Sequence, residues 1–395
     1  MAIYPTVTSG SKTTFDDTGN QKVDLADVID TLDPRDTPLI SLIGKNSLRT
    51  PCTETAHYWL EDQLIPSTAE VDAAYTSGNL VFNPRPVGAA AGTDGSTYFK
   101  ADDVIMVGTK HYQVTSVDAT AALVYVRLIS SADADAAVGA KMYILGNAKT
   151  EGSVARVVSE FTTLDKPYNY TQIFSDEVTV TGTQEVIDKY GYSSEMAYQE
   201  GKKLKEMAIK FERAALYGYR NAATTNNQPM RMMGGMYYFI RLNAGGTVNT
   251  DIVVDADSAS LTQETLDNLI EKVWTLGGDP DLVICNGFQA RQIDKWLSPY
   301  IQTGINEGRL GSVLTSYKTR FGTLKILLDR YVAPGDLIVC STKFLGIGPL
   351  KDRAFHSIPI AKRGDSVERM ILGEYTMEVR NYERAHGWIH SLATS

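Results

Sequence analysis

Residues 194–217 read SEMAYQEGKKLKEMAIKFERAALY, and this stretch decides the fold class more than any other in the chain. Its apolar residues recur every three to four positions, as on the buried face of a helix. They are Met196, Ala197, Leu204, Met207, Ala208, Phe211, Ala214 and Ala215. Charged residues fill the remainder, namely Glu200, Lys202, Lys203, Lys205, Glu206, Lys210 and Glu212. The pattern predicts a long helix with one buried face and one mixed-charge face.

The chain after this helix mixes helix and strand patterns. A second helix is predicted over 261–276, with the spacing of Ser260 to Gln263 typical of a capping box. DLVICN (281–286) is then predicted as a strand, and QARQIDKWL (289–297) as the helix that follows it after a short turn.

Most of the remaining sequence to the C-terminus is predicted as strand. In its last long strand Tyr375, Met377 and Val379 alternate with Thr376, Glu378 and Arg380, which is typical of a strand with one covered face. Helices and strands follow each other in mixed blocks without a regular βαβ repeat, so the sequence predicts an α+β fold.

The N-terminal region has a different composition. Residues 1–23 are rich in Thr, Ser, Gly and Asp, and they carry too few apolar side chains to offset the entropy of ordering alone. We expect an arm that orders against a partner. A short helix is predicted over 24–32, and Pro34 and Pro38 then favour an extended apolar tether.

Residues 87–150 form a third type of sequence. Four short runs of β-branched and aromatic residues, separated by Gly, Asp and Ala turns, are typical of closely spaced strands. The runs are DDVIMVG (102–108), HYQVTSVD (111–118), ALVYVRLIS (122–130) and KMYILGNA (141–148). The sequence therefore predicts a small inserted module with a barrel-like or sandwich-like fold.

Composition excludes several classes of protein. The 395 residues suggest two or three structural units, at about 150 residues per domain. Hydrophobic residues make up 43% and charged residues 22%, as in globular proteins. The net charge of −9, without a basic cluster, argues against a dedicated DNA-binding protein. No apolar run is long enough to span a membrane, and the N-terminus lacks a signal-peptide pattern.

The sequence contains no strong catalytic or ligand-binding motif. The sequence contains neither a phosphate-binding GxxxxGK[ST] loop nor a GxSxG elbow. Glu383, His386 and His390 resemble metal ligands, but the order is not HExxH, and we interpret the histidines as surface or interface residues on a β-hairpin. The three cysteines, Cys52, Cys285 and Cys340, are too far apart in sequence to indicate a metal or redox pair, and we interpret Cys285 and Cys340 as buried small hydrophobes.

Three acidic pairs offer oxygens that a hard cation would accept. They are Asp133 with Asp135, Asp255 with Asp257, and Asp279 with Asp281. A calcium loop needs five or more ligands at fixed spacing, so we interpret these carboxylates as solvated turn residues. The sequence thus predicts no catalytic, cofactor-binding or metal-binding residue. Tyrosine is abundant, at 21 residues, which favours a protein with extensive subunit interfaces.

Six stretches in this order resemble the major capsid proteins of tailed double-stranded DNA bacteriophages, with the Hong Kong 97-type fold. They are DLADVIDTLDPRDTPLISLIGK (24–45), YNYTQIFSDEVTVTGT (168–183), EGKKLKEMAIKFERAALYG (200–218), LGGDPDLVICNGFQARQI (276–293), FGTLKILLDR (321–330) and AKRGDSVERMILGEYTMEVRNYERAHGWIHSL (361–392). Each stretch is weak alone, but together they extend from Asp24 to the end, apart from the insertion.

The resemblance implies a set of domains for this α+β chain. They are an N-terminal arm at 1–50, an extended loop with its root in the peripheral domain at 51–86 and 151–185, an inserted β-barrel-like domain at 87–150, the spine helix of the peripheral domain at 186–224, an axial domain at 225–335, and return strands completing the axial and peripheral domains at 336–395. A fused scaffolding domain is not expected ahead of Asp24, and we assign no covalent cross-link.

The resemblance also implies a function. The chain would be a non-enzymatic major capsid protein that self-assembles as hexamers and pentamers into an icosahedral or prolate phage head around packaged double-stranded DNA. Implied partners are other copies of the chain, the portal protein at one vertex, a separate scaffolding or decoration protein, and DNA contacted weakly and without specificity. No cofactor and no membrane are expected, and the virion shell would be assembled in the bacterial host cytoplasm.

Two alternatives remain open from the sequence. The chain would be another phage virion protein, such as a tail or baseplate component, if it formed rings or tubes instead of closed shells. It would be a metal-dependent hydrolase if Glu383, His386 and His390 bound zinc.

Overall fold

The structure is a computed structural model that describes residues 37–44, 48, 51–149, 151–152, 162–188, 192–225, 228–242, 248–297, 316–361 and 364–394. The predicted helix at 24–32 and most of the predicted arm at 1–50 lie outside the described residues. The described chain divides into two compact units. The second unit comprises Tyr58–Tyr168 and Asn249–Asp251, and the first comprises the remainder.

The described residues contain both helices and strands in mixed order. The helices are α1 (Pro38–Ile43), α2 (Gly182–Val186), α3 (Glu195–Tyr217), α4 (Gln263–Thr275) and α5 (Gly287–Leu297). The strands are β1 (Ala56–Tyr58), β2 (Thr68–Val71), β3 (Val81–Phe82), β4 (Pro84–Pro86), β5 (Asp103–Val107), β6 (Lys110–Asp118), β7 (Leu123–Leu128), β8 (Lys141–Asn147), β9 (Tyr168–Tyr170), β10 (Gln172–Thr181), β11 (Asn221–Thr225), β12 (Gln228–Met232), β13 (Val253–Asp255), β14 (Leu282–Cys285), β15 (Ser316–Thr319), β16 (Gly322–Leu328), β17 (Leu337–Cys340), β18 (Leu345–Pro349), β19 (His356–Pro359), β20 (Ser366–Val379) and β21 (Gly387–His390).

Helix α3 confirms the predicted long helix to within one residue. It begins after Ser194, whose Oγ accepts a hydrogen bond from the N–H of Ala197 at 3.3 Å, the expected geometry of an N-cap. Three side chains differ from the prediction, and one of them is Ala197, which is exposed. Leu204 is 45% exposed although it lies on the same side of the helix as Phe211, and Glu212, predicted on the charged face, is fully buried. Glu212 is buried because α1 covers that side of α3.

Helix α3 packs on an antiparallel sheet with the strand order β10-β20-β18, in which β19 also pairs with β20. Strands β10 and β20 pair along the whole of β10, from Gln172 opposite Tyr375 to Thr181 opposite Ser366. The ring of Phe211 lies 5.3 Å from that of Phe174 and 4.8 Å from that of Tyr375. Aromatic contacts therefore join the helix to strands β10 and β20.

Strand β20 corrects the predicted alternation. Met377 and Val379 are buried as predicted, but Thr376, Glu378 and Arg380, predicted on the outer face, are buried as well. Both faces of this end of the strand are covered, and alternation in sequence reports only one covered face.

The second sheet of this unit has the order β13-β21-β17-β14-β16-β15. Strands β14 and β17 are buried at every residue, and β14 is parallel to β16 but antiparallel to β17. The predicted strand, turn and helix appear as β14 and α5, and the predicted second helix appears as α4. Its cap is Thr262, whose Oγ1 accepts from the N–H of Thr265 at 3.2 Å, and not Ser260 as predicted.

The second compact unit contains a seven-stranded sheet with the order β3-β7-β6-β5-β8-β2-β4. The four predicted strands correspond to β5, β6, β7 and β8. The sheet also takes in β2, β3 and β4, so it begins at Thr68, ahead of the predicted boundary at residue 87. Its edges β3 and β4 do not pair, so the order is open where a barrel would be closed. One shared core, which includes Phe82, Ile105 and Met142, holds these strands together.

Candidate functional site

His386 is buried, which corrects its interpretation as a surface or interface histidine. Its Nδ1 accepts a hydrogen bond from the N–H of Ser341 at 3.4 Å, and its Nε2 donates to the carbonyl oxygen of Arg380 at 3.1 Å. Burial lowers the pKa of His386 to about 4, so the imidazole is neutral. Both ring nitrogens are engaged by the backbone, and His386 therefore acts as a structural residue.

His390 has separate partners. Its Nδ1 lies 2.8 Å from the Oγ of Ser391 and 3.5 Å from an oxygen of Asp255. Within the described residues, no group of three or more His, Cys, Asp or Glu side chains has the arrangement of a metal site. In the same part of the chain, no helix combines the length and the apolar character needed to cross a membrane.

Carboxylates of the acidic pairs accept hydrogen bonds from neighbouring turns and strands. Asp133 accepts hydrogen bonds from the hydroxyls of Tyr75 and Tyr112 at 2.6 and 2.5 Å, and burial alone would raise its pKa, but these bonds lower it to about 2. Asp281 accepts from the N–H and the hydroxyl of Thr342. Asp255 accepts from the N–H of Asp257. Asp133 and Asp281 are thus bound within the fold and are not simply solvated.

The cysteines are buried and unpaired, as predicted for Cys285 and Cys340. Burial raises the pKa of the Cys285 thiol to about 12 and that of the Cys340 thiol well above its ordinary value. A thiol that stays protonated is a poor nucleophile. Neither residue is therefore suited to covalent catalysis.

The base of the N-terminal segment is fixed by Glu212 of α3. One carboxylate oxygen accepts from the N–H of Leu39 at 2.7 Å, and the other accepts from the N–H of Ile40 at 2.9 Å. These amides have no intrahelical acceptor because they lie in the first turn of α1. The sequence offers no signal for this contact, since 173 residues separate the partners of the shorter bond.

A buried charged network crosses the inner end of β20. Glu378 accepts from the ring of His57 at 2.7 Å and from the guanidinium of Arg380 at 2.8 Å. Burial alone would lower the pKa of His57, but hydrogen bonds to Cys52 and Glu378 and the negative charge of Glu378 raise it to about 9. His57 is therefore an imidazolium at neutral pH, and the network holds β1 against β20.

A second network lies four residues earlier on the same strand. Glu374 accepts from the hydroxyl of Thr171 at 2.6 Å and from Arg231 at 3.1 Å, and Arg353 Nε lies 2.8 Å from its other oxygen. Asn169 of β9 is also buried. Its amide nitrogen donates hydrogen bonds to the carbonyl oxygens of Gly234 and Met377, at 2.8 Å each.

Most of these contacts join segments that are far apart in sequence through a buried polar side chain. Breaking one partner of such a contact is destabilising, because it leaves a buried polar group unsatisfied. The arrangement contains no nucleophile or acid–base pair open to solvent among the groups described above. It stabilises the folded chain.

Large apolar side chains lie on the surface at several places. The most exposed are Leu64 at 91% and Val186 at 83%. Trp274, on α4, is 55% exposed, and its ring lies 5.5 Å from that of Phe321. Exposed tryptophan is enriched where proteins bind other proteins.

Comparison with known proteins identifies the family. Residues 7–393 match the model of the SU10 major capsid protein family. The fold is similar to that of a chain of the cyanophage A-1(L) capsid, at 9% identity over 97% of this chain and 100% of that chain, with a TM-score of 0.57. It is also similar to the capsid chain of an empty GTA particle, at 9% identity over 97% and 99% of the two chains, with a TM-score of 0.54.

No curated protein matches the chain in sequence. The family match nevertheless covers almost every residue, and the two structural matches cover both compact units. The chain belongs to the SU10 major capsid protein family and has the Hong Kong 97-type fold of phage capsid proteins.

Proposed function

We propose that this chain is the major capsid protein from which a phage head is built. The match of residues 7–393 to a major capsid protein family carries the proposal. The buried polar ties of the first unit support it, because a shell subunit must keep its shape under load. In the proposal the chain has no enzymatic role, because His386 and His390, which resembled metal ligands, are engaged in structural contacts.

The proposal assigns a role to each part of the chain. Residues 1–50 act as an arm on neighbouring subunits, 51–86 and 151–185 as the extended loop and its root, 186–224 as the spine helix, 225–335 as the axial domain, and 336–395 as return strands. The β-rich unit that includes residues 87–150 is an added module that faces a neighbour or a decoration protein. Its own core, separate from the first unit, supports this assignment.

The partners follow from the same proposal. Copies of the chain associate as hexamers and pentamers in the shell, with a portal protein at one vertex and, for assembly, a separate scaffolding protein. Packaged DNA is contacted weakly, and the net charge of −9 supports weak contact because tight binding needs clustered cations. The proposed place of assembly is the bacterial host cytoplasm, without a membrane partner.

Deletion of residues 1–30 tests the proposed arm. The truncated chain should stay soluble and folded, because the contacts of Glu212 with α1 begin at Leu39. It should fail to form closed shells, because the proposed arm supplies contacts between subunits. Electron microscopy counts the shells, and circular dichroism checks the fold. Normal shells from the truncated chain would contradict the arm assignment.

A further inference from the structure

Two buried carboxyl groups meet where α1 joins the fold. Glu212 of α3 and Asp329, which follows β16, are both fully buried. The two carboxyl groups lie close enough for each to shift the pKa of the other. Two carboxyl groups in contact can form a hydrogen bond only through a proton that one of them holds.

The remaining contacts place that proton between the two groups. Both oxygens of Glu212 already accept from the amides of Leu39 and Ile40. Asp329 Oδ1 accepts from the N–H of Tyr331 at 2.8 Å, whereas its Oδ2 is buried with no donor among the described residues. A proton shared with Glu212 satisfies Asp329 Oδ2, and no other group described around the pair does so.

We propose that Glu212 and Asp329 form a proton-dependent latch for α1, the helix that begins at Pro38. With one shared proton the pair carries a single negative charge, which the amides of α1 stabilise. Loss of that proton leaves two buried negative charges in contact. The repulsion is relieved when α1 leaves Glu212 and water enters.

Both acidic and basic side chains lie around the pair. Tyr217, one turn further along α3, donates to Asp336 at 3.0 Å, so a third carboxylate lies nearby. Arg213 stacks over the ring of Tyr331, at 5.0 Å from its centre, and Arg330 is exposed. Helix α1 carries no charged side chain. One further carboxylate and two guanidinium groups therefore lie around the pair.

The direction of the pH effect follows from the titration. Burial and the neighbouring carboxyl raise the pKa of Glu212 to about 7 and also raise that of Asp329. Above about pH 4.5 the unfolded chain has lost a proton that the folded chain still binds. The contribution of this proton to the stability of the folded state is therefore complete below about pH 4.5. It is lost as the pH rises through about 7, so α1 is released on the alkaline side.

Hydrogen exchange of the full-length chain tests the latch. Exchange is followed by mass spectrometry at pH 5.5 and 8.5, corrected for the intrinsic rate, with sedimentation used to confirm the same assembly state. The protection of the Leu39 and Ile40 amides should fall about tenfold or more at pH 8.5, while that of the buried residues of α4 stays constant. Equal protection of α1 at both pH values would overturn the proposal.

Three variants separate the latch from general loosening. Asp329→Asn supplies an amide that donates to Glu212 at every pH, so the protection of α1 should no longer depend on pH. Glu212→Gln replaces an acceptor with a donor and should release α1 at both pH values. Asp336→Asn, the matched control, should keep the pH dependence of the unaltered chain. A pH dependence that survives in Asp329→Asn would also overturn the proposal.

A second measurement does not rely on any variant folding. Infrared difference spectra of the unaltered chain between pH 5.5 and 8.5 should show the loss of a protonated carboxyl band, because ordinary carboxyl groups are already ionised at pH 5.5. A spectrum without that band would contradict a shared proton. The latch goes beyond the proposed function. Hydrogen exchange reads α1 and the infrared spectrum reads the carboxyl proton, so a failure to form shells would not be mistaken for a failure of the latch.

Discussion

Glu378 lies between two cations in the interior, the imidazolium of His57 and the guanidinium of Arg380. The pKa of His57 is raised to about 9 in the folded chain, against an ordinary value of 6.5. Protonation of His57 therefore stabilises the folded state fully below pH 6.5, and this contribution is lost as the pH rises through about 9. The Glu212 and Asp329 pair titrates at lower pH, so the two effects occur in different ranges.

We predict that the free energy of unfolding of the unassembled chain falls by about 2–3 kcal/mol between pH 7.5 and 10 through His57. In His57→Gln this fall should be absent, because glutamine does not titrate. Urea unfolding followed by tryptophan fluorescence measures the difference. His356→Gln is the matched control, since His356 is exposed, and it should keep the slope of the unaltered chain. An unchanged slope in His57→Gln would rule out this role.

The residue scale is where the sequence is least informative. The sequence positions of Glu212 and Glu378 are those of ordinary exposed charged residues, on an amphipathic helix and an alternating strand respectively. Their burial depends on partners such as Leu39 and His57, which are 173 and 321 residues away. Local periodicity does not report contacts with distant residues. The prediction that both side chains are exposed is therefore wrong.

At the scale of elements, local rules are sufficient for most of the chain. Helix α3 and strands β5, β6, β7 and β8 appear where periodicity predicts them, because each has a cap or a turn that the sequence specifies. The limits of the seven-stranded sheet are not local. Strand β2 pairs with β8, which begins 70 residues after it, and nothing within residues 68–71 indicates that partner.

Helix α3 should tolerate changes of its Leu204 side chain but not of its backbone. Leu204→Pro removes a helical hydrogen bond and is expected to destabilise the chain by about 3 kcal/mol or more. Leu204→Ala should change the stability by less than about 1 kcal/mol, because the side chain is 45% exposed. Circular dichroism and urea unfolding compare the two. Equal effects would show that the side chain, not the helix, is what matters.

At the scale of the whole molecule, the fold is that of a capsid subunit with two separately built cores. The first unit contains the helix α3, the antiparallel sheet around β20, the mixed six-stranded sheet and the buried charged networks, and the second unit contains its own seven-stranded sheet. The family was recognisable in the sequence only because six weak stretches occur in one order. The buried polar contacts could not be recognised in the same way, because their partners are far apart in sequence and form no short motif.

We expect a major capsid protein to assemble into closed shells. Negative-stain electron microscopy of the purified full-length protein, with sedimentation of the same sample, tests this assembly. The expected result is closed polyhedral shells, or rings of six and five subunits, formed by the chain alone or after addition of a phage lysate that supplies a scaffold. Open tubes, or a small oligomer that does not assemble even with the lysate, would contradict the proposed function.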